Sequence, residues 1–483
     1  MARPTAPGGP LNSGGTHRGR AGERRGRVLL VAVLLPLLAA AACSTAHYPV
    51  NAGFVGEPPA SRYSRREMLA GEAPGGIFMH AAFSGGGARA AALAYGVLEV
   101  LHETRYGWKD ERRRLGDDLT IVAGVSGGAV AATAYAAFGP RFFDRFGCGF
   151  LHGDLQGALV SRILAPSNLH RLSSPRFGRS DVLAELLDER LFGGATYGDL
   201  ARRKAPPMAI VSATSLYDGE RFEFTQESFD GLCSDLSAFP VSRAVAASMA
   251  VPGVLSPVTV WNHGPACLYG SPIPQGPLYR PYGPPFLHLV DGGLSDNLGI
   301  RNTIETVERL GGFGGTMRAI GLRGVRRIVY LIVNAQSDPG FEESGSADVP
   351  GILRTLRSVA DIPIDRYSAL SLEQLRARFA GWLAQVRDGT DPAGGEGLAR
   401  DVEVYFVEVS LPLLGDAAER QYLQRLPTSL SLPPEDVDRV RRAARRLLSE
   451  SPDFRRLLAD LGASVEPASK DGTPRGFACA SPQ

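Results

Sequence analysis

The chain has 483 residues, 44% of them hydrophobic and 21% charged, and a formal net charge of +2. That balance excludes a disordered polyelectrolyte, and the length allows a large buried core. With so little excess charge, it also lacks the basic footprint of a nucleic-acid binder.

The first 27 residues carry Arg3, Arg18, Arg20, Arg24, Arg25 and Arg27 against a single acid, Glu23. Residues 28–42 have no charge and end in Ala40-Ala41-Ala42, directly before Cys43. A basic stretch, an apolar stretch and small residues at the end are the parts of an export signal. The apolar run falls short of the ~20 residues of a membrane-spanning helix. The Ala-Ala-Ala-Cys sequence resembles a bacterial lipoprotein lipobox, with Ala40 where Leu is usual. The resemblance implies acyl chains on Cys43 and anchoring of the mature protein in the cell envelope. Ser44 after it is compatible with the periplasmic side of the outer membrane. An ordinary cleaved signal with an incidental Cys43 is the alternative. Removing residues 1–42 takes away six Arg and one Glu, so the net charge moves from +2 to −3. Four further cysteines, Cys148, Cys233, Cys267 and Cys479, are an even set. In an oxidising compartment they allow three disulfide connectivities.

Residues 43–75, rich in Pro, Gly and Ser, read as a flexible tether, and one domain is expected over 76–462. Residues 77–83 read as a buried strand and lead into a Gly-rich turn. A helix is expected over 90–102. Residues 119–123 read as a second strand, followed by a serine turn and an Ala-rich helix over 129–136. Strand, glycine turn and helix, twice over, predict an α/β fold with a mainly parallel sheet. Residues 141–180 are less regular. A helix over 181–191 and a strand over 208–216 follow. Asp218-Gly219 predicts a hairpin turn into residues 221–224. A helix is expected over 243–249, and strands over 258–261 and 286–290 flank a Pro/Gly/Tyr-rich insertion, 262–285. Further strands are expected over 326–333 and 401–409, helices over 371–386, 434–448 and 453–461, and an acidic loop over 338–350. Residues 463–483 read as a tail.

The chemistry concentrates in three places. Gly124-Val125-Ser126-Gly127-Gly128 reads G-x-S-x-G where a strand turns into a helix, a geometry that exposes a serine hydroxyl. Gly85, Gly86 and Gly87 free backbone N–H groups to converge on an anion at a helix N-terminus. A dinucleotide reading needs an acidic residue after a second strand, and none is there. No G-K-[ST] is present to make a phosphate loop. An oxyanion site is therefore the better reading. A serine nucleophile also needs a base. None of the eight histidines lies beyond His288, so the chain order of an α/β-hydrolase triad is impossible, and only His263 or His288 remain as histidine bases. Asp291, at the end of a strand and followed by Gly292 and Gly293, is the simpler partner. Groups at the carboxyl ends of parallel strands meet in one crevice, which is how Asp291 is expected to reach Ser126. Asn297 reads as the cap of a following helix.

Together, Gly85-Gly86-Gly87-Ala88-Arg89-Ala90, the Ser126 turn and Asp291-Gly292-Gly293 resemble the patatin-like phospholipase family, with Ala90 where Gly is usual. The resemblance implies a three-layer α/β/α fold and a Ser–Asp acyl hydrolase without metal or cofactor. Ser126 would be the nucleophile and Asp291 the base. Gly85, Gly86 and Gly87 would form the oxyanion hole, and Arg89 would bind substrate or order the loop. Gly124 and Gly128 would shape the nucleophile turn, and Gly292 and Gly293 the acid turn. The implied partners are a phospholipid or other acyl ester and the membrane that Cys43 reaches. A carboxylesterase or thioesterase on dispersed substrates is an alternative, as is a non-catalytic envelope lipoprotein.

Overall fold

Ile77–Phe83 is buried at every position and forms strand β1, central in the sheet. A run without alternation is what a strand covered on both faces requires. In this computed structural model, residues 44–48, 51–54, 62–204, 206–264, 283–338, 351–390 and 397–466 are described. The leader, Cys43, Cys267, Cys479, the acidic loop from 339 and the tail from 467 lie outside them. The described residues form two units. The smaller comprises 44–47 and 165–177 and contains the helix Pro166–Leu172. The remaining residues form the larger unit, which carries the sheet.

In the larger unit β1 leads into helix α1 (Gly87–Glu103). Then come strand β2 (Leu119–Gly124), helix α2 (Gly127–Phe138), strand β3 (Met208–Ser215) and helix α3 (Val241–Ser248). Strands β4 (Val258–Trp261), β5 (Phe286–Asp291) and β6 (Val325–Asn334) follow. Helix α4 (Ile352–Arg387), strand β7 (Leu398–Ser410), and helices α5 (Pro434–Glu450) and α6 (Pro452–Leu461) complete the set. The sheet order is β7-β6-β1-β2-β3-β5-β4, and the short strand Arg221–Glu223 pairs with β3 as a hairpin. From β7 to β3 every pairing is parallel; the β3–β5 and β5–β4 pairings are antiparallel, so β5 alone of these seven strands is reversed. With its helices the sheet makes the expected three-layer α/β/α fold. The C-terminal helices belong to it: buried Arg441 of α5 forms a two-pronged ion pair with Glu99 of α1 (2.7 and 3.1 Å).

Four expectations need correction. Helix α1 begins at Gly87, not at 90, because the chain enters helical geometry directly after Gly86 (φ 135°). Residues from 62 onward do not behave as tether. Tyr63 is buried and its hydroxyl bridges the Ala209 backbone, donating to the carbonyl (2.9 Å) and accepting from the N–H (2.8 Å). Residues 141–180 contain short helices, among them Phe142–Phe146 and Leu155–Leu164. Helix α4 starts near 352, not at 371, and runs through Pro363, whose missing N–H normally breaks a helix.

Candidate active site

The site is built at one edge of the sheet. Phe83, Gly124 and Val211 are neighbours in register across β1, β2 and β3. The Gly-rich turn and the Ser126 turn leave from this row. Asp291 lies opposite Ala213, two residues further along β3, and approaches antiparallel. It therefore does not reach the site from a parallel strand end, as its position in the sequence suggested. Strand β5 descends from beyond the edge and delivers its last residue to it.

Ser126 is held in an unusual backbone conformation, φ 50° and ψ −121°, immediately before α2. A non-glycine residue at positive φ stores strain that the surroundings must repay. Here they do so through Ser248, fully buried at the end of α3. Its hydroxyl accepts the Ser126 N–H (2.8 Å) and donates to the Ser212 carbonyl (2.6 Å). The Ser248 carbonyl also accepts the Gly292 N–H (3.3 Å), and the Asp291 N–H donates to Ala250 (3.0 Å). One short segment, 248–250, thus fixes both the serine turn and the aspartate turn. Ser248 and Asn297 are the residues that sequence reasoning missed as site components. Their only sequence signal was position: Ser248 just before Pro252, Asn297 six residues after Asp291.

Glycines allow the turns to abut. A Cβ on Gly127 would collide with the Gly87 carbonyl, and one on Gly128 with that of Phe83. One on Gly124 would press into Ala129, and one on Gly292 into the Ser212 carbonyl. Gly85 is 3.5 Å, measured from its would-be Cβ, from Ser126 Cβ, and the Asn297 amide oxygen fills the space where that Cβ would stand.

The Gly85 N–H is not free for an oxyanion. It is shared by the carbonyl (3.0 Å) and the side-chain oxygen (3.1 Å) of Asn297. The N–H groups of Gly86 and Gly87 make no hydrogen bond among the described residues and stand at the N-terminus of α1. Of the three glycine N–H groups expected to converge on an anion, Gly86 and Gly87 alone thus remain open among the described residues, at the positive end of a 17-residue helix. Arg89 is buried (1% exposed). Its guanidinium donates to the carbonyls of Ala335 (3.0 Å) and Leu426. Its guanidinium thus ties the start of α1 to the segments that hold Ala335 and Leu426.

Asp291 is buried and its Oδ1 accepts the Gly293 N–H (2.8 Å). Its carbonyl accepts from Thr214 (2.8 Å). Asp296, not Asn297, accepts the first N–H groups of the helix Arg301–Arg309, from Ile300 (3.2 Å) and Arg301 (2.8 Å). Burial pushes the Asp296 carboxyl above the usual range, and Arg221 pulls it back. The histidine alternatives are engaged elsewhere. His263 Nε2 is 3.1 Å from the Asn51 carbonyl, and His288 Nδ1 is 3.0 Å from Thr259 Oγ1. Buried His80, lowered to about 4 by desolvation and Arg65, stays neutral beside Thr303. Cys148 and Cys233 are each disulfide-bonded.

Such an arrangement presents a strained serine, a carboxylate and two backbone donors at one edge. Residues 81–304 match the family model for patatin-like phospholipase. No curated protein sequence matches the chain. Among solved structures, the chain is similar to human GIVD cytosolic phospholipase A2, at 15% identity and a TM-score of 0.42. The match covers 80% of this chain and 60% of that one, so the chain spans less than two thirds of that protein. It is also similar to VipD from Legionella pneumophila, at 13% identity and a TM-score of 0.32, covering 88% of this chain and 73% of that one.

Proposed function

We propose, from the premise that residues 81–304 are a patatin-like phospholipase domain, that the protein is a lipid acyl hydrolase working through Ser126 and Asp291. The observation that carries the proposal is the tie between the two turns: Ser248 holds the Ser126 N–H on its side chain and the Gly292 N–H on its carbonyl. In this reading Asp291 accepts the Ser126 proton as Oγ attacks the ester carbonyl. The Gly86 and Gly87 N–H groups receive the oxyanion, where preorganised donors act most strongly on developing charge. The tetrahedral adduct collapses, the alcohol leaves with the proton from Asp291, and water, deprotonated by the same carboxylate, releases the fatty acid from Ser126. A carboxylate is a weak base at its ordinary pKa of ~3.9, so in this reading it must be positioned on the serine hydroxyl to take its proton.

The basic and apolar leader ending at Cys43 supports a lipid-anchored protein of the cell envelope. The disulfides at Cys148 and Cys233 fit the same reading, since they persist in oxidising compartments. A fluorophosphonate probe followed by mapping of the label tests the chemistry. Label on Ser126, and loss of hydrolysis of phospholipid vesicles in Ser126→Ala, are the expected results. Turnover that survives Ser126→Ala overturns the assignment. Preference for dispersed short-chain esters over vesicles would move the substrate class to soluble esters.

A further inference from the structure

Asn297 touches both halves of the site. Its carbonyl and amide oxygen share the Gly85 N–H (3.0 and 3.1 Å). Its amide oxygen also packs where any Gly85 side chain would be. On the other side, a Cβ on Gly293 would stand 3.1 Å from both Asn297 Oδ1 and Asp291 Oδ1, so the amide and the carboxylate flank the same glycine. The orientation of the amide is determined. Ser368 Oγ on α4 donates to the Ile364 carbonyl (2.7 Å), so it accepts from Asn297 Nδ2 (3.4 Å) and leaves Oδ1 turned to Gly85. A neutral acceptor suits this position; a carboxylate there would repel Asp291 and could not donate to Ser368.

We propose that Asn297 is a positioning residue for ester hydrolysis. It takes the Gly85 N–H out of the oxyanion site and locks the glycine turn in register with the aspartate turn, so that Gly86 and Gly87 are the donors presented to the substrate. The proposal rests on the reading of Ser126 as nucleophile.

The test is a double-mutant cycle. Asn297→Ala removes the side-chain half of the lock, with its tie to Ser368, and leaves the backbone carbonyl on the Gly85 N–H; Gly85→Ala displaces the amide from the other side. The steady-state constants of both, and of the double variant, are measured on phospholipid vesicles and on a soluble p-nitrophenyl ester, with Tm recorded for each. Each single variant is expected to lose about 100-fold in kcat, the typical cost of a small misplacement of reacting groups, with KM within about twofold. The double variant should be no worse than the poorer single one, because the added methyl then has room. Losses that multiply, or a wild-type kcat in Asn297→Ala, overturn the proposal. Should Asn297→Ala fail to fold, the isosteric Asn297→Asp keeps the shape, and a wild-type kcat in it is equally fatal. Ser126→Ala run alongside separates the two failures. If it is inactive while Asn297→Ala is normal, only the positioning role falls; if it is active, the nucleophile reading falls first.

Discussion

The parallel and antiparallel ends of the sheet hold their parts of the site by different means. Around β1 and β2 the glycine and serine turns are fixed by backbone against backbone, with no room for a side chain at Gly127 or Gly128. Around β3 and β5 polar side chains take part: the Ser248 hydroxyl ties the Ser126 N–H to the Ser212 carbonyl, the Thr214 hydroxyl holds the Asp291 carbonyl, and the Asn297 amide reaches the Gly85 N–H. The first end should be sensitive to an added methyl, the second to a removed hydroxyl. The strain at Ser126 is repaid across the two, since its N–H belongs to the parallel end and its acceptor to the other.

The largest effect is expected from Gly127→Ala. The new Cβ would collide with the Gly87 carbonyl, which is backbone and cannot swing aside. Denaturant unfolding should show a loss of more than about 4 kcal/mol, or no folded protein. A stable, active variant would mean that the two turns do not abut. Next comes Asp291→Asn, which is nearly isosteric but cannot take a proton. Turnover should fall by about 10²- to 10⁴-fold with little change in Tm, measured on the same ester substrates. Near-normal turnover would remove the antiparallel end from the chemistry and leave it as scaffold.

How far each end was legible follows from the same difference. The parallel strands announced themselves because burial on both faces demands continuous apolar runs such as residues 77–83. Their turns announced themselves because backbone contact demands glycine. The direction of β5 was not legible: Phe286-Leu287-His288-Leu289-Val290 has a single polar residue, and only the fold shows that Phe286 and His288 are exposed while Leu287 and Leu289 are buried. Ser248 and Asn297 could not be identified from their surroundings. Their partners lie 122 and 212 residues away, and a single serine or asparagine carries no periodic signal. The sharing of the Gly85 N–H was hidden for the same reason, so the oxyanion hole read as three donors. Helix α4 was seen only beyond Pro363, because proline normally ends a helical pattern.

Ser248→Ala tests the hinge between the two ends. It leaves the buried Ser126 N–H without its acceptor and the Ser212 carbonyl without its donor. Each such orphan costs about 1–3 kcal/mol, so urea unfolding should show a loss in that range or above it. Because the strained Ser126 backbone loses its anchor, kcat should also fall, by about tenfold or more. A stability loss with unchanged kcat would make Ser248 part of the core only.

Thr214→Val should have the smallest effect, and its size is informative. The change keeps the shape of the side chain and removes one hydrogen bond to the Asp291 carbonyl (2.8 Å) and the contact with Ser295 Oγ (2.9 Å). Asp291 remains held by its pairing with Ala213, by its own N–H on Ala250 and by Gly292 on Ser248. With three anchors left, the carboxylate should move little. Stability should drop by about 1 kcal/mol, and kcat by less than tenfold. A loss as large as that of Ser248→Ala would show that the antiparallel end is held as a cooperative network, not as separate ties. The comparison of the two variants in one assay therefore measures how rigidly the aspartate turn is tied.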